Sequence, residues 1–410
     1  MGQAVKKAEI TEQLSYLESV HGNSKGWITK AEINKNTFSQ WHYNYLELVN
    51  EDFEKENVYI SINTFYSTFR RIEYIKELKA QFIDLDIYNT GFTKEQVIMA
   101  LEADHFNKTI PRPNLIIDSG RGLNLIWLIN SVPSQALPLW KSVEEYLHSN
   151  LKEFGADRKA LDPTRVLRVP GSINSKSKTV VKILEEYDYI YDLREIQNNF
   201  LPELHPAVKK KGRPKKIVFV HRERSLYYAR IQDLSKLCEL SEYKLKGHRE
   251  LILFLYRYYL CYFLEDTEKA LEDTLELNSM FIPPIRKNEA VRATRSAEKV
   301  YTTKNKDYKY KNETLIELLN ITEEEQRFMT TIISKDEYKR RDRVYQKNKY
   351  QEQLKSVGKL TKKVEISERR EKIKDLLDKG LKQRDIYLQL DISKRTCIND
   401  IKYLKEQGLI

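Results

Sequence analysis

The sequence predicts an α+β protein: a first half built on a mostly antiparallel sheet, then helical segments to the end. Three observations carry this. Strand-like and helix-like stretches alternate up to about residue 205, helical periodicity alone takes over across residues 226–300, and the basic run Lys209-Lys210-Lys211-Gly212-Arg213-Pro214-Lys215-Lys216 divides them. The resulting organisation is a first domain over 1–205, a basic linker over 206–222, a helical domain over 223–305, a charged helical connector over 306–365 and a compact trihelical segment over 366–410.

Within the first domain, residues 58–63 read as a strand, 70–78 as a helix and 82–88 as a strand. Residues 93–101 read as a helix capped by Thr93, and 115–118 and 123–129 as strands joined by the Gly-rich reversal Ser119-Gly120-Arg121-Gly122. An amphipathic helix over 138–154 and short strands at 166–169 and 179–184 complete it. The aromatic stretch 251–263 is too short, and too interrupted by Arg257, to span a bilayer, which takes roughly 20 apolar residues. It reads as core.

Composition narrows the function classes. With 71 Lys and Arg against 60 Asp and Glu, the net charge is +11, which favours a polyanionic partner, nucleic acid first. Residues Met1 to Lys7 are followed by no apolar region, so no signal peptide is expected, and Gly2 lacks the Ser or Thr of a myristoylation start. Cys238, Cys261 and Cys397 lie far apart in helical patterns and read as reduced core residues of a cytoplasmic protein. There is no Cys/His spacing for zinc, no His-x-His pair for a rolling-circle nickase and no Gly-x-x-x-x-Gly-Lys-Ser/Thr loop for a fused helicase.

The chemistry centres on Phe82-Ile83-Asp84-Leu85-Asp86-Ile87. Strand alternation puts Asp84 and Asp86 on one face and the apolar residues on the other. Burying one carboxylate costs several kcal/mol, and two side by side also repel, so a divalent cation is the natural compensation. Two further segments belong with it: Asp118-Ser119-Gly120-Arg121-Gly122-Leu123-Asn124, and Gly155-Ala156-Asp157 continuing through Asp162-Pro163-Thr164-Arg165-Val166-Leu167-Arg168-Val169-Pro170-Gly171-Ser172-Ile173-Asn174-Ser175-Lys176.

In order and spacing these segments resemble the archaeo-eukaryotic primase superfamily, especially the primase-type replication proteins of plasmids and other mobile elements. The resemblance spans roughly residues 55–180. It implies an RRM-like catalytic domain in which Asp84, Asp86 and a third acid hold Mg2+ or Mn2+ for nucleotidyl transfer from NTPs or dNTPs on a DNA template. Asp157 matches the third acid by its spacing to Pro170, with Asp162 as the alternative. Ser119, Arg121, Asn124, Arg168, Ser172, Asn174 and Lys176 are the nucleotide-binding positions, supplying charge and donors suited to a triphosphate. Asn124 stands where the family usually has a histidine, and it can donate a hydrogen bond but carries no charge. A bare hairpin turn and surface ion pairs for Arg165 and Arg168 are the plainer readings of the same residues. A separate replicative helicase is the implied partner.

Two segments read as DNA-binding. Lys211-Gly212-Arg213-Pro214-Lys215 resembles an AT-hook, with Arg213 and Lys215 for a narrow minor groove, or else is a solvated linker. The helical domain resembles the one that commonly follows the catalytic domain in such primases, or else is a spacer. In the C-terminal segment, Ile373, Leu376 and Leu377, then Ile386, Tyr387 and Leu390, then Cys397, Ile398, Ile401 and Leu404 form inward stripes, with Ser393 capping the third helix. Lys394, Arg395, Thr396, Asn399 and Lys402 face out, which resembles a helix-turn-helix reading a specific duplex site. A protein-binding trihelical bundle is the alternative there. For the whole chain, the competing reading is an initiator or regulator that only binds origin or operator DNA, and Asn124 is the residue favouring it.

Overall fold

The computed structural model describes residues 12–34, 37–204, 216–303, 309–356 and 362–410. The chain divides into two compact units, Met1–Ile333 and Ser334–Ile410. The linker residues Arg213 and Lys215 lie outside the described residues.

In the first unit the strands are β1 (Ile28–Asn34), β2 (Thr37–Tyr43), β3 (Val58–Ser61), β4 (Thr64–Phe65), β5 (Ile75–Leu85), β6 (Leu115–Asp118), β7 (Leu123–Pro133), β8 (Val166–Arg168), β9 (Ile173–Asn174), β10 (Thr179–Val180) and β11 (Lys182–Glu186). They form a five-stranded sheet ordered β11-β6-β7-β5-β4, a four-stranded sheet ordered β2-β1-β3-β8, and the pair β10-β9. The pairing is antiparallel throughout these sheets, as the sequence predicts. The long hairpin partner β7 zips onto β5 with Asp84 opposite Asn124 and Leu85 opposite Leu123. The helix Leu137–Leu151 seals this pair: the Trp140 indole donates to the Ala80 carbonyl at 2.8 Å, and the Glu144 carboxyl accepts the Phe82 N–H at 2.7 Å. Thr93 caps its helix through a reciprocal bond with Gln96, as expected.

Residues 70–78 differ from the expected helix. Only the turn Ile72–Tyr74 is helical, and β5 begins at Ile75. Ile72, Ile75 and Leu78 recur at a helical spacing and all three are buried: Ile72 from the turn, and Ile75 and Leu78 from β5, where a bulge between Ile75 and Glu77 against β4 breaks the strand alternation. At the other end β5 stops at Leu85, and Asp86 leads into the short turn Ile87–Asn89. The strands β1 and β2 have no counterpart in the sequence reading.

The helices Lys216–Leu240, Arg249–Leu264, Thr267–Met280 and Lys287–Thr303 follow. The aromatic stretch is core, with Tyr256, Tyr258, Tyr259 and Phe263 fully buried. Arg257 sits among them because its guanidinium donates to Thr294 Oγ1 at 3.1 Å and pairs with Glu298. Within the stretch expected to be a charged connector, Leu315, Leu319, Ile321, Met329 and Ile332 are buried in the same core. Among the described residues no helix is long and apolar enough to cross a membrane. All three cysteines are free thiols and buried.

In the second unit the helices Lys362–Asp378, Gln383–Gln389 and Lys394–Glu406 close on a small core of Ile373, Ile386, Cys397 and Leu404. Ser393 caps the last helix by accepting the Thr396 N–H at 3.1 Å. Ile398 is a correction: expected inward, it is exposed, because the buried position on that turn goes to Asp400. That carboxylate receives Arg369 Nε at 2.7 Å and Arg370 Nε at 2.8 Å, and these pairs hold its pKa below the usual range despite burial.

Candidate active site

The site is assembled at the open end of β5. Main-chain bonds bring the segment around Ala156 alongside: Asp86 N–H donates to the Gly155 carbonyl at 2.8 Å, and Asp157 N–H to the Asp84 carbonyl at 2.9 Å. Leu85 and Ala156 thus form an antiparallel bridge, with Asp84, Asp86 and Asp157 around it. Two glycines permit the approach. A Cβ on Gly122 would stand 2.0 Å from the Leu85 carbonyl oxygen, and Gly155, at φ +85°, would bring one to 2.8 Å from the Asp86 carbonyl.

The electrostatics follow from that proximity. Ile83, Leu85 and Ile87 are buried while Asp84 and Asp86 are half-buried, as the alternation predicts. Desolvation raises the Asp84 pKa to about 6; Asp86 and Asp157 add to the rise, and Arg165 and Arg168 oppose it. Asp86 is raised as well, by desolvation and then by Asp157, against Arg121 and Arg165. Asp157 is already engaged: Oδ1 accepts the Lys159 N–H at 2.9 Å, and Oδ2 lies 3.8 Å from the Arg165 guanidinium. As the side chains stand, no group of three or more His, Cys, Asp or Glu among the described residues closes on one ion.

The donor set nevertheless suits a hard divalent cation. It offers carboxylate oxygens, and the amide oxygen of Asn124, directly across the ladder from Asp84, is buried without a hydrogen-bond partner. A cation there would satisfy that oxygen and relieve the repulsion that lifts the aspartates.

The other sequence-predicted residues divide by use. Arg121 is exposed, its guanidinium 4.3 Å from the Tyr88 ring centre, within electrostatic reach of Asp86. Arg168 is half-buried, donates to Asn57 Oδ1 at 2.9 Å and lies 4.7 Å from the Tyr59 ring centre. Desolvation, its dominant influence, lowers its pKa. Ser119 closes the hairpin with its main chain, and its carbonyl accepts Asn174 Nδ2 at 2.7 Å. Asn174 Oδ1 accepts the Lys176 N–H at 3.0 Å, leaving the Lys176 side chain exposed. Ser172 is buried, with its hydroxyl bonded to the Val169 carbonyl at 2.6 Å. Asp162 folds onto Thr164, accepting its N–H at 2.8 Å, and is a turn residue in this arrangement.

Sequence reasoning misses Arg165, Asn57 and Tyr59 as site residues. Arg165 faces all three carboxylates, Asn57 orients Arg168 and the Ser175 hydroxyl, and Tyr59 supports the Arg168 guanidinium. The arginine is visible in the third segment; Asn57, before a short strand, gives no signal. In the second unit Lys394, Arg395, Asn399 and Lys402 are exposed as expected, and Thr396 is half-buried beside the cap.

A replication protein of Clostridium perfringens is 64% identical over 396 residues, which is 97% of this chain and 98% of that protein. No family model matches the chain. Among solved structures, the AEP domain of the cyanophage S-2L primase-polymerase aligns with a TM-score of 0.35 at 19% identity, over 46% of this chain and 95% of that one. The primase RepB' aligns with a TM-score of 0.33 at 10% identity, over 71% of this chain and 93% of that one.

Proposed function

On the premise that the chain belongs to the replication-protein family, we propose that its first domain is a primase or polymerase of the archaeo-eukaryotic type. It would transfer nucleotides from NTPs or dNTPs to a strand paired with a DNA template. One observation carries this reading: the Leu85–Ala156 bridge gathers Asp84, Asp86 and Asp157, contributed by separate segments, under Arg121, Arg165 and Arg168.

Asp84, Asp86 and Asp157 are the residues to hold Mg2+ or Mn2+. Bound there, such ions supply activation of the primer 3′-hydroxyl and neutralisation of the leaving pyrophosphate. The protein's own groups do the rest. Above about pH 6 Asp84 is ionised and ready to bind a cation. Arg121 and Arg168 offer positive charge to the triphosphate, and Lys176 adds an exposed ammonium. The ladder sets Asn124 opposite Asp84, where its unpartnered amide oxygen would be a further ligand for the same ion.

The C-terminal trihelical unit is proposed to act as a helix-turn-helix, with Lys394, Arg395, Thr396, Asn399 and Lys402 toward a specific duplex. The deciding experiment is template-dependent primer synthesis and extension with Mg2+ or Mn2+. Wild type should extend, whereas Asp84→Ala and Asp86→Ala should abolish extension while changing DNA affinity little. Extension that survives both substitutions refutes the site. A second reading, an initiator or regulator that only binds DNA, is favoured by the uncharged Asn124. It predicts no extension by wild type under any of these conditions.

A further inference from the structure

The third carboxylate is tethered on two sides. Toward the sheet, Gly155 and Asp157 bond to the end of β5. Away from it, the next two residues are gripped by the helices that follow. Arg158 pairs with Glu265 and lies 3.6 Å from Glu145. Arg224, on the helix Lys216–Leu240, reaches the same two carboxylates, at 2.7 Å from Glu265 and 3.1 Å from Glu145. The result is a closed ring of alternating charge: Arg158, Glu265, Arg224, Glu145. Lys159 adds a second attachment, 2.9 Å from Glu268.

Position and burial separate this ring from ordinary surface pairs. Glu265 ends the helix Arg249–Leu264 in a left-handed conformation at φ +60°, so its side chain leaves a fixed point on the helical region. Arg224 is almost fully buried and Glu145 and Glu265 are mostly covered, while the Arg158 side chain is about half exposed at the ring's outer edge. The desolvated Arg224 pairs are screened less than exposed ones and hold Glu145 and Glu265 in place for Arg158. By contrast the Asp157 side chain has few restraints: one bond from the Lys159 N–H and a 3.8 Å approach to Arg165. The placement of its backbone therefore depends on the β5 bridge and on the grip on Arg158.

We infer that Glu265 is a positioning residue: through Arg158 it holds the segment carrying Asp157 against Asp84 and Asp86, so that the helical region completes the carboxylate site. This rests on the proposed nucleotidyl-transfer reading. It makes the helical region part of the site's construction and not a spacer.

The test uses the full chain with Glu265→Gln and Arg158→Gln, which break the same pair from opposite sides, and Glu265→Asp as the conservative variant. The measurements are Mn2+ binding by the spectroscopic signal of the free ion, the Mn2+ dependence of primer extension, and thermal melting. The inference expects both Gln variants to bind Mn2+ about ten-fold more weakly. Their extension should fall at low Mn2+ and recover at high Mn2+, with the melt still cooperative and Glu265→Asp intermediate. Wild-type Mn2+ affinity in either folded Gln variant overturns it, as does a loss that added Mn2+ does not recover. If one Gln variant fails to fold, the other decides by the same criteria. If wild type neither binds Mn2+ nor extends primers, the underlying site reading has failed instead, and the inference falls with it.

Discussion

Asp84→Asn should stabilise the protein while abolishing the proposed nucleotidyl transfer. The Asp84 carboxyl, ordinarily near 3.8, titrates at about 6 in the folded chain because it is desolvated and faces Asp86 and Asp157. A tenfold change in a protonation equilibrium is worth about 1.4 kcal/mol, so ionised Asp84 costs the fold on the order of 3 kcal/mol. The sign is fixed by the direction in which the carboxyl moves. Below the unfolded value both states are protonated and the penalty is absent; it grows as pH rises from the unfolded value to the folded one and is complete above that. Asparagine keeps the shape without the charge. In denaturant titrations at pH 8, Asp84→Asn should therefore exceed wild type by up to about 3 kcal/mol, and the gap should close near pH 4. Added Mn2+ should narrow it at pH 8, because an ion bound to the native site stabilises wild type by mass action. A variant no more stable than wild type at pH 8, or a gap that persists unchanged at pH 4, refutes the claim that this carboxylate is held under repulsion.

Two other outcomes test the surrounding framework. Gly122→Ala places a methyl where the Leu85 carbonyl oxygen stands 2.0 Å away, so the hairpin must retreat from β5. Overpacking of this kind costs about 1–3 kcal/mol, and denaturant titration should place the loss at the upper end; an unchanged midpoint would count against the close approach. Deleting residues 366–410 should eliminate binding to a specific duplex but spare primer extension, and equal specific binding by the truncated chain in a competition assay contradicts the helix-turn-helix assignment.

Part of the site is legible in the sequence because the burial alternation of β5 runs on past its last residue, Leu85, into the turn. Asp84 and Asp86 alternate with Ile83, Leu85 and Ile87, and burial follows that alternation. The hairpin partner is legible from Gly120 and Gly122, although the reason Gly122 must lack a side chain lies in a strand distant in sequence. Asp157 can be matched only by resemblance, since its approach to Asp84 is made by main-chain bonds that leave no side-chain pattern. The departure at residues 70–78 comes from a turn at Ile72 followed by a bulge in β5 between Ile75 and Glu77, which together set buried apolar residues at helical spacing. The strands β1 and β2 escape sequence reading because neither alternates in burial: β1 is buried from Ile28 to Ala31 without a break, and no residue of β2 is buried. Periodicity points Ile398 inward, and it cannot foresee that paired arginines draw Asp400 into the interior instead.

The bridge between Leu85 and Ala156 also bears on how the protein comes into being. Its two halves leave the ribosome well apart in time, and the first to emerge carries both aspartates but lacks the partner that frames them. A nascent chain thus holds the acidic pair without a finished pocket, and the third carboxylate joins it only after the stretch around Ala156 has been made.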